Sequence, residues 1–259
     1  SGNIGAAAAK PVMEGKAVLF KKFANIDVFD IEVDAREIDR LVDVVAALEP
    51  TFGGINLEDI AAPKCFDIEA RLREELDIPV FHDDQHGTAI VTLAALINAL
   101  KIVGKKIEDV RIVLSGVGAA GSAIAKLLMA HGATDIVGYG RTGALSAANT
   151  EGMNEHRKWL AENTNPRQVT GSLKEGLKGA DVFIGVSAPN ILDGADIVRL
   201  GTKEVARRVG LLPQSATVPG GMLVRDLVAR GRFPHQGLFR QWSQQDRQAV
   251  EEAMEMVGV

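Results

Sequence analysis

The feature that most constrains this fold is a glycine-rich turn between a short apolar run and a long alanine-rich segment. Residues 110–114 have the pattern of a buried strand, and the residues after the turn, to about His131, have the pattern of a helix. The turn fits G-x-G-x-x-G and reads Gly116-Val117-Gly118-Ala119-Ala120-Gly121. In this context the glycines permit a tight turn, close approach of backbone N–H groups to a pyrophosphate, and close packing of helix on strand. The motif predicts a dinucleotide site; the alternative is a turn that needs glycine only for packing.

The rest of the chain alternates short β-branched runs with longer Ala/Leu/Lys/Glu runs, which is typical of an α/β protein with a largely parallel sheet. We expect a first parallel-sheet domain over residues 1–104 and a Rossmann-like dinucleotide-binding domain over residues 105–259. The predicted strands are 26–32, 52–57, 79–81, 110–114, 136–139 and 182–186. The predicted helices are 4–24, 37–48, 63–76, 87–101 (buried on nearly every face), a helix after the glycine-rich turn to about 131, 151–163, 172–178 and 244–257.

Composition excludes several classes of protein. The 259 residues carry 29 Lys and Arg against 34 Asp and Glu, and the resulting charge of −5 gives no general attraction to nucleic acid or anionic lipid. The longest uncharged apolar runs have 14 residues, fewer than the 18 or so that a membrane helix needs. The single cysteine, Cys65, cannot form an internal disulfide, which favours a reducing compartment and a cytoplasmic location.

The residues that choose between NAD and NADP lie about 20 positions after the glycine-rich turn, at the end of the next strand. An acidic residue there would hold the 2′-hydroxyl of NAD. This chain has Gly140 followed by Arg141, without a carboxylate, and this pairing favours the 2′-phosphate of NADP over NAD. The alternative interpretation makes Arg141 a solvated loop residue.

Acidic pairs follow two of the predicted strands. Glu58-Asp59 closes one and Asp83-Asp84 follows the other, and parallel strands bring their carboxyl ends to one edge of the sheet. Several carboxylates without cysteine suit a hard cation such as Mg²⁺ or Mn²⁺. The alternative is that Asp59 and Asp84 cap the helices that follow them. Lys16, in the first predicted helix, is on pattern alone a solvated charge rather than a base.

Several longer motifs carry a resemblance to a known family. The chain resembles the malic enzymes, and most of all their bacterial branch, over about residues 2–196. The motifs that carry it are Gly2-Asn3-Ile4-Gly5, Lys10-Pro11-Val12-Met13-Glu14-Gly15-Lys16, Gly53-Gly54-Ile55-Asn56-Leu57-Glu58-Asp59-Ile60, Phe81-His82-Asp83-Asp84-Gln85-His86-Gly87-Thr88 and Gly185-Val186-Ser187-Ala188-Pro189.

The resemblance implies oxidative decarboxylation of L-malate to pyruvate and CO₂, with reduction of NAD or NADP and a requirement for Mg²⁺ or Mn²⁺. It makes the first domain the substrate and metal domain and implies a homo-oligomer, a dimer or larger. Lys16 matches the general base of the family, and Asp83 joins it among the catalytic residues. The roles implied for the remaining residues are metal binding by Glu58, Asp59 and Asp84, and nucleotide binding by residues 116–121, Arg141 and Ser187.

Two departures from the family pattern lead to further expectations. The family has a tyrosine acid well before the base, whereas the only tyrosine here is Tyr139, so we expect an N-terminal segment to be missing. From about residue 197 the tail diverges, and the two asparagine motifs of the family have no counterpart. The alternatives are therefore a catalytically impaired nucleotide-binding fragment or subunit, and a metal-free oxidoreductase that resembles the amino-acid dehydrogenases.

Overall fold

The computed structural model describes residues 5–188, 191 and 243–257. The chain forms two compact units, Ser1–Ala188 and Pro189–Val259. The first unit contains every predicted site residue. In the second unit the structure describes one helix, Gln244–Val257, which confirms the helix predicted there. The expectations for residues 197–242 lie outside the described residues.

The first unit alternates helices and strands in an α/β order. Its helices are α1 (Ala6–Ala24), α2 (Ile38–Ala46), α3 (Lys64–Glu75), α4 (Asp83–Val103), α5 (Ala119–Ala130), α6 (Glu155–Asn163) and α7 (Leu173–Gly176), and the C-terminal helix of the second unit is α8. Its strands are β1 (Ile55–Leu57), β2 (Val80–His82), β3 (Arg111–Ser115), β4 (Asp135–Gly140), β5 (Gly143–Ala144) and β6 (Val182–Gly185). Single 3-10 turns cover Glu49–Thr51 and Ile107–Asp109.

Two sheets place the candidate site residues. β1 and β2 pair in parallel, with Leu57 opposite His82, so the residues after both strands emerge at the same edge. The second sheet has the order β5-β4-β3-β6; β3 is parallel to β4 and β6, and β5 is antiparallel to β4. The fold is thus the expected mixture of helices and parallel sheets, and β5 is a short antiparallel edge that the sequence did not predict.

The larger core surrounds β3, whose apolar residues are fully buried because helices and neighbouring strands cover both faces. Leu96 and Leu100 of α4 join this core, together with α5 and the buried Leu160 of α6. A second core lies between α2, α3 and the two-stranded sheet. It contains Val42, Val45, Leu57, Ile68, Leu72 and Leu76. The helical periodicity of the apolar residues in α2 and α3 therefore places the apolar faces of these helices against β1 and β2.

The strand predicted over residues 26–32 is wrong. This segment follows the left-handed C-cap of α1 at Asn25 and has no strand pairing. The regular alternation breaks at Val28 and Phe29, and the Phe29 side chain is 72% exposed. Without a neighbouring strand, the β-branched residues of this segment have no ladder to join.

The helix predicted over residues 87–101 begins four residues earlier, at Asp83, and it is only partly buried. Ile90 and Val91 are 54% and 60% exposed, whereas Leu96 and Leu100 are buried. By length and composition alone α4 could cross a membrane. However, its first turn carries Asp83 and Asp84, and its second half packs in the larger core, so it is part of this α/β fold.

Candidate active site

The two acidic pairs converge because β1 and β2 end side by side. The register of Leu57 with His82 brings Glu58 and Asp59 next to Asp84. One carboxylate oxygen each from Glu58, Asp59 and Asp84 lies within 4.8 Å of the others. The backbone N–H of Asp59 also donates to Oδ2 of Asp84 at 3.3 Å. Three half-buried carboxylates at this spacing are the oxygen donors that Mg²⁺ and Mn²⁺ prefer.

The structure does not support helix capping as the reason for these aspartates. The N-cap residue of α3 is Pro63, and that of α4 is His82. Asp59 lies ahead of α3 with a left-handed φ of 55°, and Asp84 lies inside the first turn of α4. Asp59 thus adopts a backbone conformation that is uncommon for a residue other than glycine, and it does so next to the acidic cluster.

Lys16 is not a solvated charge. Its side chain is 27% exposed, and its Nζ donates to Oδ2 of Asp83 at 2.5 Å and, in a second short contact, to Glu58. Burial favours the neutral amine, but the hydrogen bonds to Asp83 and Glu58 outweigh it, and the pKa of Lys16 is raised above its ordinary value. Burial also raises the pKa of Glu58, and the hydrogen bond from Lys16 only partly offsets that rise.

Gly87, one turn along α4, leaves the space that the Asp83 carboxylate occupies. A Cβ at residue 87 would lie 1.9 Å from Oδ1 of Asp83. No side chain fits there without displacing the carboxylate that Lys16 contacts. Glycine is disfavoured in the interior of a helix. Close packing against Asp83 therefore explains why position 87 is a glycine.

The buried carboxylate of Glu69 contacts the start of α4. Glu69 on α3 accepts from Nε2 of Gln85 at 3.0 Å and lies 2.6 Å from Nε2 of His86. His82 is fully buried, and burial lowers its pKa below the ordinary value. Sequence reasoning missed Glu69, because it lies on a helix with no motif. Its only signal is a glutamate on the otherwise apolar face of α3.

The glycine-rich turn has the geometry that close backbone approach requires. Gly116 has a φ of 105°, and a Cβ there would lie 2.9 Å from the backbone N of Ser187. A Cβ at Gly121 would lie 1.8 Å from the carbonyl oxygen of Gly116, whereas a Cβ at Gly118 would meet nothing within 4 Å. Open space at the second glycine, ahead of the free N–H groups of α5, fits a bound pyrophosphate.

Ser187, predicted as a nucleotide-site residue, lies beside this turn. Its Oγ is 3.2 Å from Oγ of Ser115 at the end of β3, and the preceding N–H of Val186 donates to the Ser115 carbonyl at 2.8 Å. The parallel pairing of β3 with β6 produces this contact. Two serine hydroxyls therefore meet at the edge of the sheet that carries the glycine-rich turn.

Two arginines, one of them on α6, lie at the end of β4. Arg141 follows the last residue of the strand, Gly140, and is exposed. Arg157, in the first turn of α6, lies against Gly140. Sequence reasoning missed Arg157, because it lies 17 positions beyond the strand end on an element whose packing no local pattern gives.

Lys16, Glu58 and Asp59 line a cleft of about 1410 Å³. Apolar side chains from α1 and from the segment after it form much of its wall, including Met13, Phe20 and Phe29. The cleft is larger than the 300–1,000 Å³ of ordinary small-molecule pockets. Besides Lys16, Glu58 and Asp59, its lining includes two further cations, Arg36 and Lys64, and five further carboxylates between residues 27 and 37.

Comparison with known proteins gives the lineage of this arrangement. Residues 1–73 match the sequence profile of the malic enzyme N-terminal domain, and residues 85–209 match that of the malic enzyme NAD-binding domain. The chain belongs to the malic enzyme family. The resemblance seen in the sequence motifs is thereby confirmed, as is the order of a malic enzyme N-terminal domain followed by an NAD-binding domain.

Relatives with both nucleotide preferences are similar to this chain. It is 56% identical over 199 residues to the NAD-dependent malic enzyme of Geobacillus stearothermophilus, covering 77% of this chain and 41% of that enzyme. It is 51% identical over 214 residues to the NADP-dependent malic enzyme of Salmonella typhimurium, covering 82% and 27%. The chain therefore spans less than half the length of either enzyme.

The solved structures give the same result. The crystal structure of the NAD-dependent malic enzyme of Thermotoga maritima is 49% identical and superposes with a TM-score of 0.72. That match covers 82% of this chain and 54% of the other.

Proposed function

We propose that this chain provides the metal, malate and nucleotide sites of an NAD(P)-dependent malic enzyme that converts L-malate to pyruvate and CO₂. The observation that carries the proposal is the convergence of Lys16 with Glu58, Asp59, Asp83 and Asp84 at one sheet edge. Family membership supplies the reaction, and this cluster supplies residues able to perform it. We extend the proposal to a cytoplasmic homo-oligomer, a dimer or larger, as the family resemblance implies.

Glu58, Asp59 and Asp84 would hold the divalent cation. When bound there, Mg²⁺ or Mn²⁺ supplies Lewis-acid chemistry, which favours ionisation of an alcohol and stabilises negative charge on an enolate oxygen. The fit rests on the donor set, because three carboxylate oxygens and no sulfur match a hard cation. The raised pKa of Glu58 is consistent with a carboxylate placed among other carboxylates in a partly buried site.

Lys16 would move the proton of the malate C2 hydroxyl. Its Nζ lies within hydrogen-bond reach of Asp83 and Glu58, so these carboxylates fix its position at the edge of the metal site. A base must be neutral when it accepts a proton. Glu58 would hold the Lys16 ammonium less tightly when its charge is shared with a bound divalent cation, which favours the neutral amine. Asp83, for which Gly87 leaves room, would keep Nζ aimed at the reacting oxygen.

Residues 116–121 and Ser187 would hold the nucleotide. The backbone N–H groups at the start of α5 would receive the pyrophosphate, and Ser187 borders the same turn. The relatives include enzymes named as NAD-dependent and as NADP-dependent. We propose NADP or NAD as the cofactor, with Arg141 favouring NADP.

The direct test is absorbance at 340 nm with L-malate and Mn²⁺, run in parallel with NADP⁺ and NAD⁺. The proposal expects reduction that a chelator abolishes. A metal-free dehydrogenase would keep its activity in the chelator. A catalytically impaired nucleotide-binding fragment would bind Mn²⁺ and NADP⁺ but give no reduction, and that result would limit the proposal to binding.

A variant of the metal site separates metal binding from folding. In Asp84→Asn we expect Mn²⁺ affinity to fall by about a hundredfold, because one charged ligand is lost. The variant should keep its dinucleotide affinity. Electron paramagnetic resonance of free Mn²⁺ measures the loss, and Glu74→Gln, an exposed carboxylate on α3, is the matched control. Unchanged Mn²⁺ affinity in Asp84→Asn would remove the metal assignment.

A further inference from the structure

The carboxylate of Glu69 is a buried acidic group that the proposed reaction does not use. Its side chain is 8% exposed, and its neighbours on the buried face of α3 include Cys65, Ile68 and Leu72. A carboxylate in such a place costs free energy unless hydrogen bonds compensate its lost hydration. An apolar residue at position 69 would extend the core without that cost, so packing alone does not explain the carboxylate.

Both oxygens of this carboxylate contact the first turn of α4. Oε2 accepts from Nε2 of Gln85 at 3.0 Å, and Oε1 lies 2.6 Å from Nε2 of His86. Consecutive residues of an α-helix point about 100° apart, because one turn takes 3.6 residues. A single carboxylate that holds both side chains therefore restrains the turn against rotation about the helix axis and against movement along it.

The first turn of α4 has no side-chain cap to hold it. Its N-cap residue, His82, makes no capping hydrogen bond with its side chain. Asp83 and Asp84 are the first two residues of the helix, and their side chains are 41% and 33% exposed. Packing leaves carboxylates this exposed room to move, so their positions depend on the backbone of the turn that Glu69 holds.

Glu69 stands outside the set of candidate metal ligands. Among the residues that the structure describes, the group close enough to share a cation consists of Glu58, Asp59 and Asp84. Both oxygens of Glu69 are already engaged by α4. Groups that orient metal ligands without touching the metal still matter, because their loss usually lowers metal affinity by about 10–100-fold.

We propose that Glu69 is a positioning residue, which fixes the first turn of α4 so that Asp84 lies at the spacing from the other two ligands that a small divalent cation requires. The inference rests on the proposed function, since it needs a metal site at the acidic cluster. Mg²⁺ accepts ligand oxygens only near about 2.0–2.1 Å, whereas Ca²⁺ tolerates irregular geometry at about 2.3–2.6 Å. Loss of the Glu69 contacts should therefore weaken Mg²⁺ binding more than Ca²⁺ binding.

The test measures Mn²⁺ binding to the full chain by electron paramagnetic resonance, with Mg²⁺ and Ca²⁺ as competitors. Glu69→Met keeps the length of the side chain and removes both oxygens. In this variant we expect Mg²⁺ affinity to fall by about 10–100-fold and Ca²⁺ affinity by less than about threefold. Glu69→Gln should keep both affinities within about threefold, because its amide can accept from Gln85 and donate to a neutral His86 ring.

The matched control is Ile68→Val, at the neighbouring buried position of α3. This change weakens the packing of the helix and leaves the contacts of Glu69 in place, so Tm should fall while the ratio of Mg²⁺ to Ca²⁺ affinity stays the same. A purely structural role for Glu69 predicts that same pattern in Glu69→Met. A changed affinity ratio in Glu69→Met, rescued in Glu69→Gln, therefore supports positioning.

A second variant keeps the inference testable if Glu69→Met does not fold. Gln85→Met removes the buried half of the contact from the α4 side, and it should shift the affinity ratio in the same direction by a smaller factor, because His86 still contacts Glu69. Unchanged Mg²⁺ affinity in the folded variants, or equal losses for Mg²⁺ and Ca²⁺, would overturn the assignment of Glu69. Failure of the unaltered chain to bind Mn²⁺ would overturn the proposed metal site itself.

Discussion

The acidic cluster and the glycine-rich turn are built in opposite ways. The cluster is made of side chains from three distant parts of the chain, at residues 16, 58–59 and 83–84, brought together by two strands of three residues each. The turn is made of backbone from six consecutive residues, and its geometry depends on the absence of side chains at its three glycines. The first site therefore depends on charge and tertiary packing, and the second on local steric freedom.

We expect the largest effect from removing the charge of Lys16 beside the acidic cluster. In Lys16→Met, malate oxidation should fall by about 10²–10⁴-fold, the usual contribution of a general base. Mn²⁺ affinity should be retained or become up to about tenfold tighter, because the Lys16 ammonium, which would compete with Mn²⁺ for Glu58, is gone. Absorbance at 340 nm and Mn²⁺ titration measure the two effects.

The control for this variant is Lys10→Met on the same helix. Lys10 is exposed and pairs with Asp30, away from the acidic cluster, so both activity and Mn²⁺ affinity should be unchanged. If Lys16→Met lost Mn²⁺ binding together with activity, Lys16 would be a structural residue of the cluster and not its base.

We expect a somewhat smaller effect from adding a side chain in the glycine-rich turn. Gly121→Ala forces a Cβ to within 1.8 Å of the Gly116 carbonyl oxygen, so the backbone of the turn must move. We expect a loss of about 3 kcal/mol in the free energy of unfolding, or roughly 10 °C in Tm, together with loss of nucleotide binding. Differential scanning fluorimetry and nucleotide titration provide the readouts.

Gly118→Ala is the matched control for that variant. A Cβ at Gly118 meets nothing within 4 Å, and its φ of −89° is accessible to alanine. The variant should keep its Tm within about 2 °C. Any loss of nucleotide affinity would then come from the methyl group that occupies the ligand space. Equal losses of stability in the two variants would contradict the division of roles between these glycines.

The smallest effect concerns a contact that joins the two regions. The ring of His156 on α6 stacks on Phe66 of α3, with centroids 3.7 Å apart. Burial and the nearby Lys126 lower the pKa of His156 below its ordinary value of about 6.5. The unfolded chain therefore binds more protons as the pH falls below about 6.5, and the stability from the neutral ring is lost as the pH falls through the lowered pKa.

His156→Phe should keep the stacking and remove the titration. We expect its Tm to change less than that of the unaltered chain between pH 7 and pH 5, by about 1–2 °C. Melting curves across this range check the slope, with His131→Phe, at the end of α5, as a control for a histidine in another place. Identical slopes in the unaltered chain and His156→Phe would mean that the stack does not sense pH.

The contrast between the regions also explains what the sequence could predict. The strand, glycine-rich turn and helix over residues 110–131 were predicted correctly, because that site is local and its glycines have a fixed spacing. The register that joins Glu58 to Asp84 was only inferred from the general behaviour of parallel strands. The environment of Lys16 was predicted wrongly from pattern alone, because its two carboxylate partners lie 42 and 67 positions away.

Other residues had no local signal at all. Arg157 and Glu69 reach their sites through helix packing, which hydrophobic periodicity does not specify in detail. The segment over 26–32 shows the opposite error. Its β-branched residues satisfied the composition of a strand, but a strand also needs a neighbour, and the partner strand is a tertiary property.

Helix α4 has a mechanical consequence for the metal site. Asp84 lies in its first turn, while Leu96 and Leu100 are held in the larger core, about 20 Å along the axis. Over that length, a tilt of about 5° at the core would move the carboxylate by ~2 Å, about ten times the tolerance of metal–ligand distances. Ala89 in the larger core and the contacts of Glu69 with Gln85 and His86 limit such a tilt, so the precision of the acidic cluster depends on packing along α4, and a cavity made in the larger core should register first as poor metal selectivity.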